Sequence, residues 1–346
     1  MRPRHPLIEL TLSRFKEFLR EPEAVFWVFA FPVLLACALG LAFRNQGAPD
    51  VLVGVLRGGA VPHAAIVSTL EHVKGVRVRV VDRGEADVAL RNGAIHLLVV
   101  PGVPVTYELD PSRPESRVSR FVVDDVLQGA AGRRAAVPVA DRLVTVPGSR
   151  YIDWVVPGLL GMNIMGTGMW SVAFSVVNSR VRKLLKRLIA TPMRRRDYLL
   201  SHMASRLIFL VLEVGLLLGF AVPVFGIPVN GSWLLLGALC VLGALAFSGL
   251  GLLVASRAQT VEGVSGLMNL VMVPMWVFSG VFFASENFPE AMQPFISLLP
   301  LTALNQALRG VMIDGSGLPT LTPQVTILVG WTLVSFTAAL RLFRWR

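Results

Sequence analysis

Side chains capable of catalysis are few in this sequence, and none of them forms a recognisable constellation. The five histidines are too scattered for the spacing of metal ligands, and no His-Glu-x-x-His motif occurs. The chain has neither a Gly-Lys-Ser/Thr phosphate-binding loop nor a Gly-x-Ser-x-Gly nucleophile motif. Asp124 and Asp125 are adjacent, so on a helix their carboxylates point in different directions. We therefore predict no catalytic residue, no metal site and no cofactor bound by this chain.

Glu213 is the ionisable residue whose position suggests a function, because it lies inside the apolar run Leu207–Phe225. A carboxylate inside a membrane is costly, and it faces the protein interior, water or a partner charge. One interpretation places Glu213 in a substrate path or a gate. The other is a structural carboxylate that is protonated or paired near one membrane face. The apolar runs lack the chain of Asp, Glu or His that a proton-coupled carrier needs, so we expect another subunit to supply energy.

Amide and thioether side chains in two other apolar runs are candidates for the same path. Asn163 and Asn269 are able to cross-link helices or to contact a substrate. Met165 and Met272 provide flexible, polarisable surfaces that suit varied ligands. Ordinary helix packing remains the alternative for the two asparagines, and an ordinary core or lipid-facing position remains the alternative for the two methionines. The predicted translocation path therefore consists of Asn163, Met165, Glu213, Asn269 and Met272.

The composition identifies the elements that position these residues as membrane helices. The 346-residue chain is 54% hydrophobic and 16% charged, whereas soluble domains are about 25% charged. The net charge of +11 would also fit a nucleic-acid-binding protein, but the basic residues cluster at the ends of apolar runs, as the positive-inside rule predicts. Cys37 and Cys240 both lie in apolar runs, so no disulfide framework is expected. We predict a polytopic membrane protein with no nucleic-acid partner.

Six apolar runs are long enough to cross about 30 Å of hydrocarbon, which takes about 20 residues. They are Val25–Phe43, Val155–Val177, Leu207–Phe225, Trp233–Ala255, Gly263–Phe283 and Leu321–Phe343. Between the second and third runs, Arg180–Tyr198 contains eight Lys or Arg residues. A short loop with this much positive charge stays in the cytoplasm. The predicted topology has six transmembrane helices and two cytoplasmic termini.

Three further segments complete the predicted architecture, which is a membrane all-α fold with transmembrane helices 2–6 in residues 151–346. Residues 1–23 form a cytoplasmic amphipathic helix on the membrane surface, or an ordinary juxtamembrane anchor, before transmembrane helix 1 in residues 24–43. Residues 44–150 alternate strand-like and helix-like stretches, which predicts an inserted extracytoplasmic α/β domain. Residues 284–320 are an external segment that either re-enters the membrane or lies flat on it.

Three stretches of the chain, in this order, resemble the membrane subunit of a type-2 ABC exporter, a class of bacterial permeases related in fold to the G-subfamily transporters. Lys183–Leu199 is similar to the family's basic helix followed by Thr-Pro and a short polar stretch. Val273–Phe283 has the proline, the Ser-Gly pair and the aromatics that the family places at the outer end of the fifth span. Phe288–Gly310 resembles the external re-entrant segment with its Pro-Leu-Thr and late arginine.

The resemblance implies a division of labour between separately encoded subunits. Two permease chains, either two copies or a pair of paralogues, would associate in a bacterial inner membrane, and each would dock on an ATP-binding subunit that holds ATP and Mg. The chain itself would be a transport subunit without an ATPase site. Residues 179–199 would form the coupling loop. Its docking residues would be Arg182, Lys183, Lys186, Arg187, Thr191, Pro192, Arg194, Arg195 and Arg196.

The resemblance also implies a mechanism. ATP binding would push the coupling loops together, so that the second and fifth spans re-pack and open a central path outward. The largely apolar spans favour an amphiphilic or hydrophobic substrate, moved out of the cytoplasm or the inner leaflet. The alternative is a mechanical transmitter that passes ATPase motion to the 44–150 domain without transport.

Overall fold

The structure, a computed structural model, falls into two compact units, one within Met1–Arg44 and Thr145–Arg346 and the other within Asn45–Val144. The first unit is helical, and the second contains a β-sheet. Most of the predicted amphipathic helix at residues 1–23 lies outside the described part of the chain. The residues that the structure describes are 15–16, 19–42, 50–58, 62–133, 150–183 and 195–342.

The described elements follow one another along the chain as a helical segment, a mixed segment and a second, longer helical segment. In chain order they are α1 (Pro22–Val25), a π-helical turn (Phe26–Ala30), α2 (Phe31–Ala42), β1 (Val51–Leu56), α3 (His63–Glu71), β2 (Val76–Val81), α4 (Arg83–Asn92), β3 (Leu97–Val100), β4 (Thr106–Glu108), α5 (Pro114–Ala130), α6 (Tyr151–Val181), α7 (Arg195–Phe225), α8 (Trp233–Arg257), α9 (Val261–Phe278), α10 (Gln293–Leu298), α11 (Pro300–Met312) and α12 (Thr322–Leu342).

Five helices among the described residues are long and apolar enough to cross a membrane. They are α6, α8, α9, α12 and the part of α7 from Ser205 to Phe225. Each overlaps one of the last five predicted spans. The first predicted span, Val25–Phe43, corresponds to a shorter apolar run of 5 π-helical and 12 α-helical residues, which is about 26 Å at ~1.5 Å per residue. The structure therefore supports a multi-span membrane protein with five clear spans and one shorter candidate.

Local side-chain contacts explain where several of these helices begin. The Ser232 hydroxyl accepts a hydrogen bond from the Leu235 amide at the start of α8, and the Thr260 hydroxyl accepts one from the Gly263 amide at the start of α9. Each contact satisfies an amide that has no partner in the first turn. At the start of α6, the Asp153 carboxylate accepts hydrogen bonds from the Arg150 amide and guanidinium.

Helices α6 and α8 form the centre of the helical unit, and glycines let their backbones approach each other. A Cβ added at Gly251 on α8 would lie 2.6 Å from the Met169 carbonyl oxygen on α6. A Cβ at Gly168 would lie 3.0 Å from Cβ of Phe247. Small residues at such contacts are the usual basis of close helix packing in membranes. Helices α7, α9 and α12 lie around this pair and leave several large apolar side chains exposed, among them Val211, Leu270 and Leu333.

The segment that follows α9 folds into short helices. Two 3₁₀ turns, at Ser285–Asn287 and Glu290–Met292, precede α10 and α11. Helix α11 packs against α6, α8 and α12, and nearly all of its side chains are buried. Phe295 and Leu298 on α10 are exposed. Two short helices, α10 and α11, therefore follow α9, and α11 lies inside the bundle.

The second unit is a four-stranded sheet in the order β2-β1-β3-β4, with helices on both faces. Strand β1 runs parallel to β2 and β3, while β4 is antiparallel to β3. Helices α3 and α5 cover one face through Leu70 and Val123, and α4 covers the other through Ala86 and Ala89. Two separate apolar layers, one on each face of the sheet, therefore hold this unit together.

Candidate functional site

Arg206 and Glu213, both on α7, form an ion pair in which both side chains are buried inside the helical unit. Nη2 of Arg206 lies 2.6 Å from Oε1 of Glu213, and the two side chains are 3% and 0% exposed. They are seven residues apart, which places them two turns apart on the same face of the helix. The pair explains how a membrane-length helix holds a carboxylate, and it favours the paired interpretation of Glu213.

This ion pair ties α7 to the middle of α6. Nη2 of Arg206 also donates to the Ile164 carbonyl at 3.3 Å. Thr167 Oγ1 lies 3.3 Å from Oε1 of Glu213 and 2.7 Å from the Asn163 carbonyl oxygen. The segment from Asn163 to Thr167 therefore contacts both members of the pair.

Some polar atoms of this ion pair are buried and have no hydrogen-bond partner among the residues that the structure describes. Within the described part of the chain, Nε and Nη1 of Arg206 and Oε2 of Glu213 are buried and have no hydrogen-bond partner. Buried polar atoms of this kind are costly unless they bind water or a polar ligand group. Because the described residues leave several of its polar atoms unsatisfied, the pair is a place where a polar group could be held.

The structure brings four of the five predicted path residues close to this part of α6. Asn163 donates from Nδ2 to the Val28 carbonyl at 3.3 Å. A Cβ added at Gly166 would lie 3.9 Å from Cε of Met272 on α9. The buried members of the predicted set are Asn163, Met165, Glu213 and Met272.

Asn269 does not join this group. It lies on the exposed face of α9, together with Leu270 and Val273. Within this chain, α9 therefore buries Met272 toward α6 and presents the amide of Asn269 outward.

The predicted coupling residues are only partly described. Arg182 and Lys183 follow α6 and are exposed. The backbones of Arg195 and Arg196 begin α7, but their side chains are not described. Five docking residues lie outside the described residues: Lys186, Arg187, Thr191, Pro192 and Arg194.

Arg206 is a residue that the sequence reasoning missed. It directly precedes the predicted apolar run Leu207–Phe225, and the prediction gave it no role. The signal was the spacing of seven between a basic and an acidic residue on one helical face. Two turns separate such residues, and long side chains are able to bridge that distance.

Arg309 forms a second polar cluster, at the opposite end of α6 from Val181. Its Nε donates to the Trp154 carbonyl at 3.1 Å, its Nη2 donates to the Gly280 carbonyl at 2.5 Å, and its Cζ lies 3.6 Å from the centroid of the Trp154 ring. Nearby, Asn305 donates from Nδ2 to the Ser279 carbonyl at 2.9 Å. Helix α11 is thus fixed to the first turns of α6 and to the end of α9.

Comparison with known proteins identifies the family to which this arrangement belongs. The family model described as ABC-2 type transporter matches residues 120–313, more than half of the chain and the whole region from α6 to α11. The chain belongs to the ABC-2 type transporter family. It is therefore a membrane permease component of the ABC transporter class, and the prediction made from the three sequence stretches is confirmed.

The sequence identity between this chain and individual relatives is low, and one of those relatives is much longer than the segment that matches. The chain is 29% identical over 174 residues to ABC transporter G family member 20 of Dictyostelium discoideum, covering 50% of the chain and 24% of that protein. It is 24% identical over 185 residues to the inner membrane transport permease YadH of Escherichia coli K12, covering 53% and 72%. It is 25% identical over 213 residues to nodulation protein J of Bradyrhizobium diazoefficiens, covering 58% and 76%. The chain thus spans about a quarter of the length of its Dictyostelium relative.

Proposed function

We propose that this chain is the membrane-spanning permease subunit of an ATP-driven exporter. Two permease chains, identical or paralogous, associate in a bacterial inner membrane, and each docks on a separate ATP-binding subunit that holds ATP and Mg. The family match over residues 120–313 carries this proposal. The lack of a Gly-Lys-Ser/Thr motif in the sequence supports the assignment of ATP hydrolysis to a partner.

The proposed topology has six transmembrane helices with both termini in the cytoplasm. The run Phe26–Ala42 is the first span, and tilt or local bilayer thinning accommodates its shorter length. The basic residues between α6 and α7 keep that loop inside. The unit of residues 44–150 then lies on the outer side, and α11 is the re-entrant helix of the external segment.

The proposed translocation path lies between α6 and α9 of the paired chains. Helix α9 buries Met272 against α6 and exposes Asn269, so it has one face for this chain and another for a path or a second chain. Apolar walls with one buried ion pair suit an amphiphilic or hydrophobic substrate, moved from the cytoplasm or inner leaflet. When ATP binding brings the coupling loops together, α6 and α9 re-pack and open the path outward.

A pull-down from native membranes tests the proposal. The tagged chain is isolated in mild detergent, and mass spectrometry identifies and quantifies the proteins that accompany it. An ATP-binding subunit at matched stoichiometry is the expected result. If no such subunit accompanies the chain while other known inner-membrane complexes survive the same procedure, the exporter proposal is wrong.

A further inference from the structure

Arg180 occupies the last turn of α6, directly before the basic loop, yet it is directed back into the helical unit. Its Nη1 donates to the Ala255 carbonyl at 2.9 Å and also to the Ala258 carbonyl. Both alanines are buried. Arg182 and Lys183, the next two basic residues, are exposed. Arg180 therefore differs in environment from the charges that follow it.

The two acceptors of Arg180 lie at the end of another helix. Helix α8 ends at Arg257, and Ala258 is its C-cap. The last carbonyls of a helix have no partner within the helix, and they carry its partial negative charge. A guanidinium is well suited to this position, because it is planar, permanently charged and able to donate several hydrogen bonds.

The contact also holds the start of α9. Only residues 258–260 separate α8 from α9, and Thr260 is the N-cap of α9. Arg180 thus connects the helix that enters the basic loop to the short turn from which α9 begins. Among the described basic residues at this end of the unit, Arg257 is exposed, and it makes none of the described side-chain hydrogen bonds or ion pairs.

We propose that Arg180 is a positioning residue that transmits movement of the coupling loop to α9 through the end of α8. This inference rests on the proposed function, in which the loop after α6 is moved by an ATP-binding subunit. With Arg180 in place, displacement of the end of α6 carries the turn 258–260 with it. Without Arg180, the loop is able to move while the start of α9 stays behind.

The test follows the exposed face of α9 in the intact complex. Cys37 and Cys240 are replaced by alanine, Asn269→Cys is introduced, and the chain is purified with its ATP-binding subunit and reconstituted in lipid. The rate of labelling by a membrane-impermeant maleimide is measured without nucleotide and after trapping with ATP and vanadate. In the Arg180-containing complex, we expect the two rates to differ.

Arg180→Gln is expected to abolish this difference while the ATP-binding subunit still co-purifies and still hydrolyses ATP. Arg180→Lys keeps the charge and one hydrogen bond, so it is expected to retain part of the difference. Arg257→Gln removes one charge from the same end of the unit and is expected to behave like the parent. If Arg180→Gln itself does not assemble, Arg180→Lys provides the comparison with the parent.

Two results would overturn the inference. One is an unchanged nucleotide-dependent difference in Arg180→Gln, or in Arg180→Lys where that variant provides the comparison. The other is equal labelling rates in both states of the parent complex. Failure of the parent chain to bring down any ATP-binding subunit is a separate outcome, because it contradicts the proposed function itself.

Discussion

Arg206 and Glu213 form an ion pair within a single membrane-length helix, with Nη2 and Oε1 2.6 Å apart and both side chains buried. Their contacts with Ile164 and Thr167 extend the pair to α6. An isolated charge of either sign would be costly here, and each partner reduces the cost of burying the other. The pair therefore fixes α7 to α6 at the level of the predicted translocation path.

Removing one partner of this pair is expected to destabilise the protein more than removing both. Glu213→Gln leaves the Arg206 charge buried without a counter-ion, and loss of one partner of a buried pair costs about 3–5 kcal/mol. The double variant Arg206→Met with Glu213→Leu has no buried charge and should recover most of that loss. Thermal unfolding of the purified chain in lipid nanodiscs measures both. A double variant less stable than Glu213→Gln would contradict this account.

The close approach of α6 and α8 predicts a sharp difference between two glycines on the same helix. In Gly251→Ala, the new methyl group would lie 2.6 Å from the Met169 carbonyl oxygen, so the helices have to separate. Overpacking of this kind costs about 1–3 kcal/mol. Gly237→Ala is the control, because nothing lies within 4 Å of its added Cβ. Equal thermal stability of the two variants would show that α6 and α8 are not packed this tightly.

The sequence predicts the positions of the membrane-length helices because apolar length is a local property. It is less informative about where they end. Helix α6 begins at Tyr151 and α7 begins at Arg195, both before the predicted apolar runs, since polar residues are able to continue a helix beyond the hydrocarbon. Arg206, which lies just before the predicted apolar run, therefore belongs to the same continuous helix as Glu213.

Sequence patterns do not predict contacts between residues that are far apart in the chain. Arg309 donates to the carbonyl of Trp154, which is 155 residues away. No periodicity or spacing relates the two, because the contact depends on how α11 enters the bundle. The resemblance gave Arg309 a place in a motif, whereas the structure supplies the carbonyl groups and the ring that it binds.

In the sheet-containing unit, Tyr107 should make stability depend on alkaline pH. Its hydroxyl donates to Oδ1 of Asp124 at 3.2 Å. Burial, and next the negative charge of Asp124, raise the pKa of Tyr107 to about 12, from about 10 in a free side chain. The folded state thus retains this proton longer than the unfolded chain does. The resulting stability is complete below about pH 10 and is lost as the pH rises through about 12.

Absorbance titration of tyrosinate in the full-length protein measures this effect. The wild type should show a tyrosine that ionises with a midpoint near 12, and Tyr107→Phe should lack that component. Asp124→Asn should move the midpoint down, because it removes the negative charge beside the hydroxyl. A wild-type titration in which every tyrosine ionises at the usual pH would contradict the partly buried contact between Tyr107 and Asp124.

Charge reversal in the basic loop tests the proposed docking surface. Arg194, Arg195 and Arg196 replaced together by Glu should reduce the amount of ATP-binding subunit that co-purifies, because the loop would no longer complement an acidic partner surface. Membrane insertion should persist, which protease protection of the termini checks. Arg341→Glu is a control for a single charge reversal at an exposed position outside the loop. Unchanged co-purification would exclude these arginines from the interface.

Replacement of Arg309 by lysine should destabilise the protein, although both side chains are positively charged. Its guanidinium donates to carbonyls on both sides, at Trp154 and Gly280, while its plane stacks on the Trp154 ring. An ammonium group reproduces neither the spread of donors nor the stacking, so one carbonyl contact and the ring contact are lost together. At about 1–2 kcal/mol for each, Arg309→Lys should lower the unfolding temperature clearly.

The matched variant for this comparison is Arg341→Lys, at an exposed arginine near the end of α12. It makes the same chemical change where the side chain has no described carbonyl or ring contact, so its unfolding temperature should equal that of the wild type. Trp154→Phe preserves the backbone carbonyl and a smaller ring, and its effect should lie between the two. If Arg309→Lys is as stable as Arg341→Lys, the charge alone is sufficient at residue 309. The junction of α6, α9 and α11 would then be held by apolar packing, because the fork of hydrogen bonds would contribute nothing measurable.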